Sequence, residues 1–333
     1  MKQILSVPRI GSFLVLIALT ISFNQDALGQ GRDAFEDFSA EERRAFRTHN
    51  VTPAYVNGLA QLGYADLSSD QLVSMRIHNV SVQFVEGMKE AGIDRLDVDE
   101  LVAFRIHNIS PEFVAETRRM GYDLSRDELM SFKIHGVSAS YLAGMQDAGF
   151  DDLSADELVA FRIHNISTTY AADLTELGYG NLDADQILAF RIHNVNSSFL
   201  EMVQDYGFEG ADADDIVAMR IHNVSERFLD DMKTIGFDDL SAEHAIALRI
   251  HRVNSRFYHR MDRLGIENLT PERLVALMML RMDQELMDDL KGMRYRDVDV
   301  YELIHEQSGN RVHRGTKSEY VAAAKDIIRE LTR

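Results

Sequence analysis

Eight histidines recur along this chain at near-constant spacing: His49, His78, His107, His135, His164, His193, His222 and His251, with six intervals of 29 residues and one of 28. From His78 onward a cation stands two residues earlier: Arg76, Arg105, Lys133, Arg162, Arg191, Arg220 and Arg249. Regular imidazoles could ligate metal or titrate near neutral pH. Regular guanidinium groups could hold an anionic ligand. Each has a structural counterpart. A histidine at a helix C-terminus complements the helix dipole and bonds the last carbonyls. An arginine on an apolar arc must pair or reach water. Acids near each helix start (Asp70, Asp99, Asp127, Asp156, Asp185, Asp214, Glu243, Glu272) offer such pairing. Arg162 is therefore expected to pair with Asp156, Asp127 or Asp185. Packed helices lie about 8–10 Å apart, whereas Zn–N bonds are about 2.0–2.1 Å, so neighbouring histidines do not readily share an ion. Both series read as structural ladders.

Other chemistry is sparse. Asp97-Val98-Asp99 and Asp212-Ala213-Asp214-Asp215 suggest calcium, but no DxDxDG loop follows and these acids suit helix starts. The chain has no cysteine, no G-x-S-x-G, no P-loop and no H-E-x-x-H, and His305-Glu306 lacks the second histidine. His244, His259 and His313 add no ligand spacing. The expectation is no catalytic residue, no metal site and no cofactor.

The elements that position these residues follow from the punctuation. Thr52, Ser81, Ser110, Ser138, Ser167, Asn196, Ser225 and Asn254 are N-capping types, with Pro53 and Pro111 at first helical positions. Phe84, Val85, Met88 and Ala91 then mark one helical face, and Gly92 ends the helix. Glycine recurs there at 63, 121, 149, 178, 207, 236 and 265, as a left-handed C′ residue requires. A second helix starts at Asp97 or its counterparts, with Glu100 completing a capping box. It ends at Asn108, and Asn exchanging with Gly136 marks a second left-handed cap. Ile109 and its counterparts then pack back.

Each unit is thus helix, Gly turn, helix, Asn turn, with helices of roughly 10 to 12 residues. Such units bury their apolar faces only by stacking. The fold class expected is all-α: an α-solenoid of about eight tandem αα-hairpins over residues 39–306, with a degenerate capping repeat at 277–306. Residues 307–316 read as a linker and 317–333 as a terminal amphipathic helix. On a helical wheel Leu101, Val102, Phe104 and Ile106 cover an apolar arc that includes Arg105 and leaves out His107.

Residues 1–29 read as a signal peptide. Lys2 and Arg9 precede an apolar run over 13–23, and Ala27-Leu28-Gly29 offers a cleavage site. Uncleaved, the segment would serve as an anchor. Residues 30–38 form a linker. The chain carries −19 and the signal +1, leaving −20 on the remainder. That excess disfavours nucleic acid and anionic lipid. It favours a protein or peptide partner, particularly a basic one, with no membrane span after cleavage.

Where GYxxLSxDELVAFRIHNVS repeats, over residues 39 to about 277, the chain resembles tandem units of exported or membrane-tethered bacterial proteins. These include extracytoplasmic tails of some beta-lactam-sensor-type membrane metallopeptidases. The resemblance implies a helical array outside the cytoplasm. It carries no peptidase activity here, because the peptidase motif and multiple spans are missing. The function expected is a non-catalytic extracytoplasmic scaffold, periplasmic or secreted. The alternative is an envelope structural element, or a pH sensor using the histidines. Second helices barely vary between units, whereas first helices vary at positions off their Phe/Met face. Glu116, Asp173, Asp230 and Asp231 lie at these positions, free of packing, and are the expected contacts to a basic partner.

Overall fold

The computed structural model describes residues 34–294, 303 and 318–332. The expected signal peptide (1–29), residues 30–33, the expected 307–316 linker and most of 295–306 lie outside the described residues. Among those described there are nineteen helices and no strand. The chain divides into two compact units, Met1–Ile106 and His107–Arg333. The first contains α1 (Ala40–Thr48), α2 (Pro53–Gln61), α3 (Ser69–Ile77), α4 (Val82–Glu90) and α5 (Val98–Ile106). The second begins with α6 (Pro111–Arg119), α7 (Arg126–His135), α8 (Ala139–Asp147), α9 (Ala155–Ile163), α10 (Thr168–Glu176), α11 (Ala184–Ile192) and α12 (Ser197–Asp205). It continues with α13 (Ala213–Ile221), α14 (Glu226–Lys233), α15 (Ala242–Ile250), α16 (Ser255–Arg263), α17 (Pro271–Met279), α18 (Gln284–Lys291) and α19 (Ser318–Leu331).

Local chemistry sets these boundaries. Ser68 caps α3 by accepting from Gln71 N, and Gln71 returns a bond to the Ser68 amide. Both turn types are Schellman motifs. After α4, Ile93 N–H reaches Met88 O (2.9 Å) and Gly92 N–H reaches Lys89 O (3.0 Å), with Gly92 at φ 88. After α3, Val80 N–H reaches Met75 O (2.8 Å) and Asn79 N–H reaches Arg76 O (3.2 Å), with Asn79 at φ 58. Most helices have nine residues, shorter than the sequence suggests. Before many of the left-handed turns the last residue, such as His78 (φ −92, ψ 14), has already left helical geometry.

Within each unit like stacks on like, giving an α-solenoid of two-helix repeats. Odd-numbered helices pack in one row (α7, α9, α11, α13, α15, α17) and even-numbered helices in another (α6, α8, α10, α12). Each second helix buries a pair three residues apart, such as Leu158 and Phe161 or Ile187 and Phe190, all fully enclosed. The residue after each Asn turn (Val80, Ile166, Val195, Val224) is equally buried. Helix C-termini leave carbonyls without intrahelical partners. The next repeat supplies donors: Gln146 Nε2 to Met120 O (3.1 Å), Thr175 Oγ1 to Ala148 O (2.8 Å) and Gln204 Nε2 to Leu177 O (2.7 Å).

The C-terminal end is closed differently. Helix α18 buries Met287 and Leu290, and α19 lies along α17 with Tyr320, Val321, Ala324, Ile327 and Ile328 buried. Arg273 of α17 joins Glu330 of α19 at 2.6 Å.

Candidate functional site

The cation ladder is not paired as its sequence suggests. Each cation lies over the aromatic ring of its own repeat's first helix. Arg76 is 4.9 Å from the Tyr55 centroid, Arg105 5.0 Å from Phe84, and Lys133 3.7 Å from Phe113. Arg162 is 4.8 Å from Tyr141, Arg191 5.6 Å from Tyr170, Arg220 5.0 Å from Phe199, and Arg249 5.0 Å from Phe228. None of the seven forms an ion pair among the described residues. The expected partner Asp156 precedes Arg162 by six residues, which rotates it about 240° around the helix, away from the cation. Arg191 and Arg249 also donate Nε–H to His164 O and His222 O, both 3.2 Å, closing the preceding second helix. Arg191 and Arg249 thereby join one repeat to the next. The Nε–H groups of Arg76, Arg105 and Arg162 are buried without an acceptor.

The histidines sit at the C-termini of second helices, as expected, but their imidazoles do not bond the last carbonyls. His78, His164, His193 and His222 are partly or fully exposed C-caps, whose backbone N–H groups point back into the helix, as His78 to Ser74 O at 3.1 Å, and His107 is half-buried. His135 ends α7 before Gly136, at φ 72. Carbonyl capping falls to the arginines instead. His251 differs: its ring meets Tyr320 (centroids 6.4 Å apart), and burial holds its pKa below the usual value.

Two of the four acidic residues, Asp173 and Asp231, are half-buried in contacts between repeats, whereas Asp230 stays exposed. Asp173 accepts from Ser197 Oγ (2.9 Å), and Asp231 from both N–H (2.9 Å) and Oγ–H (2.6 Å) of Ser255. In both pairs a first helix holds the first residue of the next one. Asp230 accepts from Tyr206 OH at 2.6 Å and thereby pushes that phenol up to about 12. Glu116 lies close enough to Lys133 to offset part of the lowering that burial imposes on its ammonium. Gly144 occupies the position of Asp173 and Asp231. A Cβ there would meet Thr168 Cγ2 at 2.5 Å, so this row of positions is an inter-repeat contact.

The wheel set Ile106 on the apolar arc with Leu101 and Phe104, yet this isoleucine and its counterparts form an outward-facing row. Ile134, Ile163, Ile192, Ile221 and Ile250 are 49–56% exposed on the second unit, as are Ile77 and Ile106 on the first. Ile106 follows the buried Phe104 by two residues, so it points about 200° away from the core. Val102, Val159, Val217 and Ile246, one turn earlier, are half-buried beside it. The signal in the sequence was an unvarying residue off the buried pair. In α17 the same face is covered: Val275 is 1% and Met279 8% exposed, beneath α19.

The fold and this surface define an α-solenoid repeat protein with a recurring apolar stripe. Compared with known proteins, the chain matches no family model and no curated protein sequence.

Proposed function

We propose that the chain is a non-catalytic, exported helical-repeat scaffold that binds a protein or peptide partner through the outer face of its second helices. The exposed isoleucine row carries this reading. A large β-branched apolar side chain is kept half in water in seven successive second helices, where it contributes little to the stack, and exposed apolar surface marks interaction sites. Asp173 and Asp231 turn to the first helix of the next repeat, which moves the expected contact to the second helices. Export rests on the character of residues 1–29 and on the resemblance to extracytoplasmic arrays. No helix among the described residues is long and apolar enough to cross a membrane.

In situ photo-crosslinking from position 192, with fractionation of the tagged chain, tests both parts. A discrete protein adduct in the envelope fraction, lost in Ile163→Asp/Ile192→Asp, is the expected result. A cytoplasmic chain with an unprocessed N-terminus rejects export. No adduct from any of positions 134, 163, 192 and 221 rejects the scaffold.

A further inference from the structure

We propose that the outer face of α13 and α15, beside α19, docks an amphipathic helix of a partner protein that brings a basic residue to Asp215. The proposal rests on the scaffold reading and names the partner's chemistry.

The chain displays the same face in two states. On α15, Ile246 is half-buried and Ile250 49% exposed; one repeat on, Val275 and Met279 are 1% and 8% exposed. The difference is α19. Its buried residues at 320, 321, 324, 327 and 328 form one helical stripe. The face therefore accepts a helix laid across it, with apolar residues at i, i+1, i+4, i+7 and i+8.

The open part continues directly from that interface. A groove of about 480 Å³ is lined by Asp215, Ala218, Ile246, Ile250, His251 and Tyr320, so α19 itself forms one wall. An incoming helix laid along α13, as α19 lies along α17, would have α15 beside it in this groove.

Charge selects the occupant. In α17 the seat offers Arg273 and the seated helix brings Glu330. Stepping back by the 29-residue repeat, the Arg273 position is His244 in α15 and Asp215 in α13. His244 is engaged by Glu272 at 2.7 Å. Asp215 is partly exposed, and its carboxylate has no hydrogen-bond partner among the described residues. A second copy's α19 would set Glu330 against Asp215, like charge on like. A helix with Lys or Arg at that position fits. The acidic rim of Asp214 and Glu243 repels anionic lipid.

The test uses two labelled peptides of residues 318–332, one native and one with Glu330→Lys, titrated against the full chain. The Glu330→Lys peptide should bind more tightly. Its affinity should fall about tenfold or more with Ile221→Asp/Ile250→Asp, since apolar burial is lost. Asp215→Lys should reverse the preference to the native peptide, a swap that unfolding does not mimic; unchanged circular dichroism melting of both variants checks the fold. Failure of the Glu330→Lys peptide to bind, or binding indifferent to these substitutions, overturns the proposal. So does tighter binding of the native peptide, or a dimer of the chain abolished by Ile221→Asp/Ile250→Asp, either of which assigns the face to a second copy. So does sedimentation with phosphatidylglycerol vesicles through these isoleucines. A crosslinked partner that binds the wild-type and Ile221→Asp/Ile250→Asp chains alike overturns this inference and leaves the scaffold reading standing.

Discussion

Arg162 stands over Tyr141, its guanidinium carbon 4.8 Å from the ring centroid, while the Tyr141 hydroxyl donates to Ile166 O at 2.9 Å. One residue pair thus ties a second helix to the first helix of its repeat, and through the phenol to the turn that leads onward. The same pairing recurs at Arg76–Tyr55 and Arg191–Tyr170, with hydroxyl bonds to Val80 O and Val195 O.

Stacking and not charge pairing therefore sets the worth of Arg162. Arg162→Ala should cost about 1–2 kcal/mol, since a partly desolvated cation–π contact and the packing of its stem are lost together. Arg162→Lys should recover part of this, because Lys133 already stacks on Phe113 at 3.7 Å. Asp156→Asn should leave the urea midpoint unchanged. Equal losses for Arg162→Ala and Asp156→Asn would show that a carboxylate is the true partner.

Two glycine classes separate cleanly. Gly178, at φ +89, has nothing within 4 Å of a built Cβ, so Gly178→Ala should cost about 1 kcal/mol from backbone strain alone. Gly144 lies inside α8, where alanine is ordinarily favoured. Its Cβ would meet Thr168 Cγ2 at 2.5 Å, so Gly144→Ala should destabilise instead. Thr168→Ser should rescue Gly144→Ala and leave Gly178→Ala untouched. A double-mutant cycle with no coupling at 144 and 168 would refute the close approach of α8 and α10.

Asp231 should behave as a helix cap supplied by the neighbouring repeat. Asp231→Ala strips acceptors from the Ser255 amide and hydroxyl and should lower stability by about 1–2 kcal/mol. Asp231→Asn should cost less, because an acceptor oxygen remains. Charge reversal of Glu116, Asp173, Asp230 and Asp231 together should lower the unfolding midpoint. An unchanged midpoint in thermal and chemical melts would return these residues to the free surface.

Alkaline pH should weaken the array through its tyrosines. Burial raises Tyr55 and Tyr170 to about 12, and Tyr141 lies higher still. A raised folded-state pKa means the neutral phenol is favoured by the fold. That contribution is whole below the unfolded value of about 10. It is lost as pH climbs toward about 12. Tyr170→Phe should cost about 1 kcal/mol at neutral pH, where Val195 O loses its donor, and should shrink the alkaline loss. Tyrosinate absorbance read against unfolding checks the order: ionisation of these residues well before structure is lost would contradict their burial.

The amino-acid sequence by itself determined the period, the helix–Gly–helix–Asn order and the caps. Each depends on a residue's own backbone: Ser68 capping within its own turn, Gly92 or Asn79 entering the left-handed region, Leu158 and Phe161 falling on one side of a short helix. What a side chain meets in the next helix depends on angles between helices that no local rule supplies, and only the tertiary structure decided those. Arg105 found Phe84 and not an acid, and Asp231 turned to Ser255 and not to water. Ile250 was left open while Met279, the same position one repeat later, was sealed by a helix 39 residues further along the chain at its first residue, Ser318. Sequence periodicity makes those two positions equivalent; the array ends at one of them, and a helix covers apolar surface only where it can reach.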